Sequence, residues 1–287
     1  MKPIRNIVLL PNPAKDVGLA LSRKVAGILA EAGGRVFLDE TYATDLSGFA
    51  TPYRAFPAGA ELILVVGGDG SMLDASVKAL AHDLPLLGVN LGKLGYLSEI
   101  EPDEIASLSA LIEGNYSIEE KMLLSAERIA DGKVVSCSDR LALNDVVVSH
   151  ETYLGITDFL LSGGSGALRY RADGMIVSTP AGSTAYSLSA GGPILSHKID
   201  ALLATPVCPH SFFNRSILFP TDSAVRIENA GSETLRVSVD GRHFSDLLPG
   251  EVCRVSVSDR RIRFVTFRDD DMFNVLFRKM KIMEENQ

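Results

Sequence analysis

The sequence predicts an α/β plus all-β protein: an N-terminal α/β domain with a mostly parallel sheet, then a C-terminal β-sandwich-like domain. Three observations lead there. Up to about residue 120, short apolar runs alternate with segments of helical periodicity, the pattern of a parallel sheet covered by helices. From Met122 onward the runs are short, alternate in polarity and are separated by turn residues, as in antiparallel sheets. The 287 residues, 46% of them hydrophobic, are enough for two ordinary domains with proper cores. The expected domains are 1–120 and 121–270, with a final helix over about 271–287 placed back on the first.

In chain order, Ile4 to Leu10 reads as a strand ended by Pro11-Asn12-Pro13. Val17, Leu21, Val25, Ile28 and Leu29 then recur at helical spacing, and Gly33-Gly34 stop the helix. Arg35 to Leu38 is a second strand, and 41–60, with Pro52 and Pro57, reads as a loop of low regularity. Leu62–Val66 is a buried strand, Leu73–Ala81 a helix, Leu86–Val89 a fourth strand, and Ile105, Leu108, Leu111 and Ile112 mark another helix. In the second half, Leu123–Ile129 and Val134–Cys137 flank the hairpin dipeptide Asp131-Gly132. Strand-like runs follow at Val225–Glu228, Leu235–Val239, Val252–Val257 and Arg261–Phe267, then an amphipathic segment at Met272–Met280.

A net charge of −8 argues against nucleic acid or an anionic membrane as the main partner. Cys137, Cys208 and Cys253 are odd in number and far apart, which suits single core thiols in a reducing cytosol. No apolar run approaches the length of a membrane span and no signal-peptide pattern opens the chain, so a cytoplasmic location is expected.

The most informative stretch is Glu61 to Asp74. An apolar strand stops at Gly67-Gly68, carries an acid at Asp69, releases at Gly70, and Ser71 offers an N-cap to the next helix. Such a junction gathers backbone N–H groups and a carboxylate at the carboxyl edge of a sheet, where open α/β sheets bind ligands. Glycine permits close approach and a helix N-terminus favours anions, so Gly67, Gly68, Gly70 and Ser71 are phosphate-binding candidates. The run is neither a Walker loop nor a dinucleotide fingerprint. Asp69 suits a proton acceptor for an attacking hydroxyl, while a plain strand–helix turn in which it caps amides is the alternative.

Two further segments stand out. Arg171 to Pro193 is rich in Ser, Thr and Gly, and exposed hydroxyls and amides there could hold a ribose, a phosphate or a base edge, or form a long surface loop. Asn144-Asp145 sets two polar side chains at the head of the apolar strand Val146-Val147-Val148, which by itself reads as a turn entering a strand. Gly163 to Ala167 lacks the last glycine of a hydrolase elbow and reads as a flexible loop. The five histidines lack paired spacing, which makes a zinc site improbable. Arg260-Arg261-Ile262-Arg263 reads as the solvent face of a strand.

Taken together, Gly67–Gly70, Asn144-Asp145, Asp173-Gly174 and Ser178 to Pro193 resemble the NAD kinase family in order and spacing, from Ile4 to about Phe267. Leu91 to Leu97 also looks like that family's segment after the fourth strand. The GGDG element is shared with diacylglycerol, sphingosine and phosphofructo-kinases, so a related kinase with a lipid or sugar acceptor is one alternative. A catalytically silent NAD(P)-binding sensor is another.

The resemblance implies two domains with the site between them, and phosphoryl transfer from ATP to the 2′-hydroxyl of the adenosine ribose of NAD, giving NADP. It implies Asp69 as general base, with Gly70 and neighbouring amides against the phosphates and Mg²⁺ or another divalent cation on the donor, held by no assigned protein side chain. Asn144 and Asp145 bind the adenosine portion of NAD, and Asp173 contacts it near the nicotinamide end. Thr184, Ala185, Tyr186, Ser187, Leu188 and Ser189 line the nucleotide, Tyr186 by packing on a base. Asp69, Gly70, Arg171 and Arg242 complete the NAD-binding set. Ala172 stands where the family commonly has Ser and Arg242 where some members have Gln; a polar residue at 171 accompanies preference for NAD over NADH. A homodimer or homotetramer is implied.

Overall fold

The computed structural model describes residues 1–42, 48–91, 95–150, 155–164, 166–268 and 276–277. The chain divides into two compact units, Met1–Glu120 with the chain from Ile262 onward, and Lys121–Arg261. The second unit therefore ends at Arg261, where the sequence reading carried it to 270.

The first unit starts with β1 (Asn6–Pro11), α1 (Ala20–Glu31) and β2 (Arg35–Asp39). β3 (Ala50–Tyr53), β4 (Leu62–Gly67), α2 (Asp69–His82), β5 (Leu86–Asn90) and the short α3 (Ser109–Glu113) follow. The parallel sheet runs β3-β2-β1-β4-β5. Its order reverses between β1 and β4, whose register brings Pro11 beside Val66, so both carboxyl ends meet at the switch point where such sheets bind ligands.

Local chemistry explains the ends of these elements. Asp16, buried ahead of α1, accepts the amides of Leu21 and Ser22 at 2.9 Å each and the Ser22 hydroxyl at 2.6 Å, capping the first turn. After α1, the Gly34 amide donates to the Leu29 carbonyl at 2.8 Å, and a Cβ on Gly34 would meet that same oxygen at 2.9 Å. β4 is buried along its whole length, as a central parallel strand must be. β3 corrects the expected loop over 41–60: a four-residue edge strand with Pro52 inside gives almost no periodicity to read.

The second unit holds β6 (Ser117–Ala130, entering from the first unit), β7 (Lys133–Cys137), β8 (Asp145–Ser149), β9 (Thr157–Ser162), β10 (Ala167–Ala172) and β11 (Gly174–Ser178). The short α4 (Tyr186–Ser189) precedes β12 (Leu202–Val207), β13 (Ile217–Phe219), β14 (Val225–Asn229), β15 (Leu235–Val239), β16 (Arg242–Leu247) and β17 (Val252–Thr266). One antiparallel sheet runs β13-β12-β11-β8-β15-β16. The other joins β10, β9, β14 and the start of β17, with β6 and β7 beside them. Phe159, Leu161 and Ile227 from one sheet and Val146, Met175 and Val237 from the other share a single core.

Two strands were expected at 252–257 and 261–267, but β17 is one strand. Its exposed middle at Asp259 and Arg260 mimics a turn in sequence. The thiols also differ from expectation: only Cys253 is buried, while Cys137 and Cys208 are exposed. Burial pushes the Cys253 thiol up to about 12. The expected C-terminal helix lies outside the described residues except at Leu276 and Phe277, which are helical. Among the described residues no helix is long and apolar enough to cross a membrane.

Candidate functional site

In the first unit, Gly67 ends β4 and Gly68 is the N-cap of α2 in an extended conformation, φ −102° and ψ −173°. A Cβ on Gly67 would collide with Ser71, whose hydroxyl accepts from Asn12 Nδ2 at 2.8 Å. Glycine is thus required where the carboxyl ends of β1 and β4 meet. The amides of Ser71 and Met72 turn back to the Gly68 carbonyl at 2.9 and 3.1 Å. Helix geometry leaves the amides of Asp69 and Gly70 without an intrahelical acceptor, and Gly70 is exposed, with open space where a Cβ would stand.

Asp69 opens α2, and its side chain is fixed rather than free. The amide of Tyr96 donates to Oδ2 at 2.9 Å and that of Leu97 to Oδ1 at 3.1 Å. Gly95 makes room for this, since a Cβ there would lie 3.0 Å from Asp69 Oδ1 and 3.1 Å from Asn90 Oδ1. Asn90 is itself held by Glu101, its Nδ2 donating to Oε2 at 2.9 Å. Of the segment matched after the fourth strand, Gly92, Lys93 and Leu94 lie outside the described residues. Gly95 to Leu97 are the part that seats the acid. Burial and the Asp69 charge raise the Tyr96 hydroxyl above its usual range.

The sequence reading missed Lys15. A Cβ on Gly68 would stand 3.0 Å from its Nζ, so this cation lies against the N-cap of α2. An ammonium beside the positive end of a helix is favourable only where an anion comes to both. The available signal was a lone cation just after the Pro11-Asn12-Pro13 turn.

In the second unit, Asn144 and Asp145 stand at the head of β8, both buried. The paired register sets Asp145 opposite Ser178 of β11, and so beside the segment that begins at Thr179. The Thr179 amide donates to the Asn144 carbonyl at 2.9 Å and its hydroxyl to the Leu143 carbonyl at 2.6 Å. The Gly182 amide in turn donates to Thr179 Oγ1 at 2.9 Å. A Cβ on Gly182 would run into the Asn144 backbone, so the glycine lets the segment lie directly on Asn144.

The expectation of exposed hydroxyls along this segment is corrected in part. Thr179, Ser183 and Ser187 are buried and bonded within the protein. Ser183 Oγ donates to the Pro180 carbonyl at 2.6 Å and accepts the Leu195 amide at 2.9 Å. Ser187 Oγ pairs with Thr205 Oγ1 at 2.9 Å, which makes it a brace for α4. What faces outward is Tyr186, 46% exposed, together with Ser189. Thr184, Ala185 and Leu188 are half-buried beside them.

Electrostatics tie these pieces together. Burial, then the neighbouring Asp240 charge, pushes the Asp145 carboxyl up to about 7. Burial, then Cys208, Asp145 and Asp173, raises the Tyr186 hydroxyl, which gathers both predicted acids around this ring. Asp173 is half-buried between β10 and β11, its amide on the Val207 carbonyl at 3.0 Å. Arg171 is exposed, its amide held by Ser211 Oγ at 2.6 Å, and Arg242 is exposed at the start of β16.

Sequence reasoning also left Asp240 out of the candidate set. Its carboxylate accepts the Leu143 amide at 2.9 Å, the Asn144 amide at 2.8 Å and the Asp145 amide at 3.1 Å. Burial raises its carboxyl, while these amides and Arg140 oppose the shift. Asp-Gly is a common hairpin-turn dipeptide, so the pair by itself gives no signal for a buried carboxylate. Among the described residues no cluster of three or more His, Cys, Asp or Glu could hold a metal ion.

Comparison with known proteins adds a separate line. The family described as ATP-NAD kinase N-terminal domain matches residues 7–116, and that described as ATP-NAD kinase C-terminal domain matches residues 143–267. The NAD kinase of Natranaerobius thermophilus is 35% identical over 284 residues, 96% of this chain and 98% of that protein. The NAD kinase of Symbiobacterium thermophilum is 36% identical over 280 residues, 95% of this chain and 97% of that protein. Among solved structures, yeast NADH kinase complexed with NADH superposes with a TM-score of 0.81 at 25% identity, covering 96% of this chain and 87% of that one. An NAD kinase from Archaeoglobus fulgidus in complex with ATP shares the fold, with a TM-score of 0.71 at 22% identity and coverage of 96% and 99%.

Proposed function

The chain belongs to the NAD kinase family, and from that premise we propose that it transfers the terminal phosphoryl group of ATP to the 2′-hydroxyl of the adenosine ribose of NAD. The observation that carries the residue assignment is the seat of Asp69, a carboxylate aimed by two amides at the open N-terminus of α2. Asp69 takes the proton from the 2′-hydroxyl as its oxygen attacks the terminal phosphorus. The bond from that phosphorus to the bridging oxygen breaks, and ADP leaves with NADP formed.

A positioned base contributes about 10²–10⁴-fold, so orientation and charge supply the remainder. For the donor phosphates we assign the amides of Asp69 and Gly70 and the Lys15 ammonium, with Gly67, Gly68 and Ser71 shaping the turn. For NAD we assign Asn144, Asp145, Asp173, Tyr186 and Ser189, with Thr184, Ala185 and Leu188 as walls and Arg171 and Arg242 at the margin. Ser187 acts through α4. Mg²⁺ keeps several waters and is commonly carried by substrate phosphates. We therefore place it on the donor, where it would neutralise phosphate charge. A homodimer or homotetramer in the cytoplasm completes the reading.

The test is direct. The protein is incubated with ATP, Mg²⁺ and NAD, and NADP is read out by an NADP-specific dehydrogenase. Time-dependent NADP is expected, and none above background would end the proposal.

A further inference from the structure

Asp240 sits at the first of two left-handed positions in the β15–β16 hairpin, with φ 48° at Asp240 and 73° at Gly241. A two-residue turn of this kind accepts Asn-Gly or Gly-Gly as readily as Asp-Gly, so turn geometry alone does not call for a carboxylate. Nor does burial, which favours a neutral side chain. What uses both oxygens is the chain at Leu143 to Asp145. Oδ2 takes the Leu143 amide, Oδ1 takes the amides of Asn144 and Asp145, and the Asp240 amide returns to the Asp145 carbonyl at 2.9 Å. The carbonyls of Leu143 and Asn144 are bonded from the other side by Thr179.

From this double clamp we infer that Asp240 is the positioning residue of the acceptor site, fixing Asn144 and Asp145 through their own backbone amides. The inference rests on the reading of Asn144 and Asp145 as NAD ligands. Asn cannot replace Asp here without loss, because its NH₂ would face one of the three N–H donors instead of accepting from it. The carboxylate has a second consequence. Asp145 is faced by Asp240 from the hairpin turn and by Tyr186 from α4, with Asp173 and Cys208 around that ring and Arg140 facing Asp240. Burial is the first cause that raises the Asp145 carboxyl and the Asp240 charge the second, so Asp240 acts on its ionisation as well as on its position.

The test compares wild type, Asp240→Asn, Asp240→Gly and Asn144→Ala in steady-state kinetics across pH. Both Asp240 variants suit the left-handed turn, so the hairpin is retained. We expect KM for NAD to rise about tenfold, the scale of losing one charge-assisted hydrogen bond, with KM for ATP unchanged. We also expect the inflection of kcat/KM for NAD, near pH 7 in wild type, to move to lower pH once the like charge is gone. An unchanged KM for NAD with an unmoved inflection would overturn the inference, even if kcat or Tm fell. Asn144→Ala separates the two levels. Should it leave KM for NAD unchanged, the acceptor reading fails; should it raise KM while the Asp240 variants do not, only this inference fails.

Discussion

The corner at Asp69 and the cluster around Asn144 and Asp145 solve opposite problems. The corner is centred on one stretch, Gly67 to Ser71, is built largely from main chain, and is open at Gly70. Its acid is held by amides and presents itself to whatever binds there. The cluster is assembled from four distant segments at residues 144–145, 173, 184–189 and 240. It buries two carboxylates together and leaves one aromatic ring outside. A corner made of backbone can serve many phosphorylated ligands. Recognition of one particular acceptor needs side chains whose places are fixed by the fold.

The largest effect that could break this division is on the chemistry at the corner. Asp69→Asn should lower kcat by about 10²–10⁴-fold while leaving the dissociation constant for NAD nearly unchanged, as read by rapid quench and calorimetry. Next is Gly182→Ala in the cluster, where the new methyl meets the Asn144 backbone. It should destabilise by about 1–3 kcal/mol in urea melts and weaken NAD binding, with kcat for the correctly loaded fraction retained. Tyr186→Ala should cost about 1–3 kcal/mol of NAD affinity through lost stacking, with little change in KM for ATP. Lys15→Ala should show the reverse split, raising KM for ATP several-fold.

The pH dependence of stability gives a further check. Burial, then the Asp240 charge, pushes the folded Asp145 carboxyl up to about 7 from an ordinary value of 3.8. Between those values the folded state holds a proton that the unfolded state has lost, so this group lowers stability as pH rises from about 4 to about 7 and is level beyond. Asp145→Asn should therefore raise Tm more at pH 8 than at pH 5. An equal gain at both pH values would show that burial does not act on this group as described.

Much of the first unit was legible because its strands are continuous apolar runs and its punctuation is glycine and proline. The phosphate corner was legible for the same reason: Gly67 to Ser71 states its geometry in one stretch. β3 was not, since an edge strand of four residues with a proline inside has no period to read. The join within β17 failed because Asp259 and Arg260, exposed in mid-strand, look like a turn. In the cluster, Asn144-Asp145 and the 178–193 segment were identified by resemblance; their residue types alone read as a turn for the first and left a surface loop open for the second. Burial of Ser183 and Ser187 could not be read from a polar sequence, because hydroxyls bonded internally look the same as hydroxyls awaiting a ligand. Asp240 was hidden by a turn dipeptide that explains itself without its carboxylate.

Chemistry at the corner and acceptor recognition at the cluster should separate under mutation. The measurement that tests this most directly pairs calorimetric NAD binding with ATP-dependent NADP formation for wild type and Asp69→Asn. The predicted result is near-equal NAD affinity with NADP formation lowered at least about 10²-fold. Normal NADP formation by Asp69→Asn would contradict it.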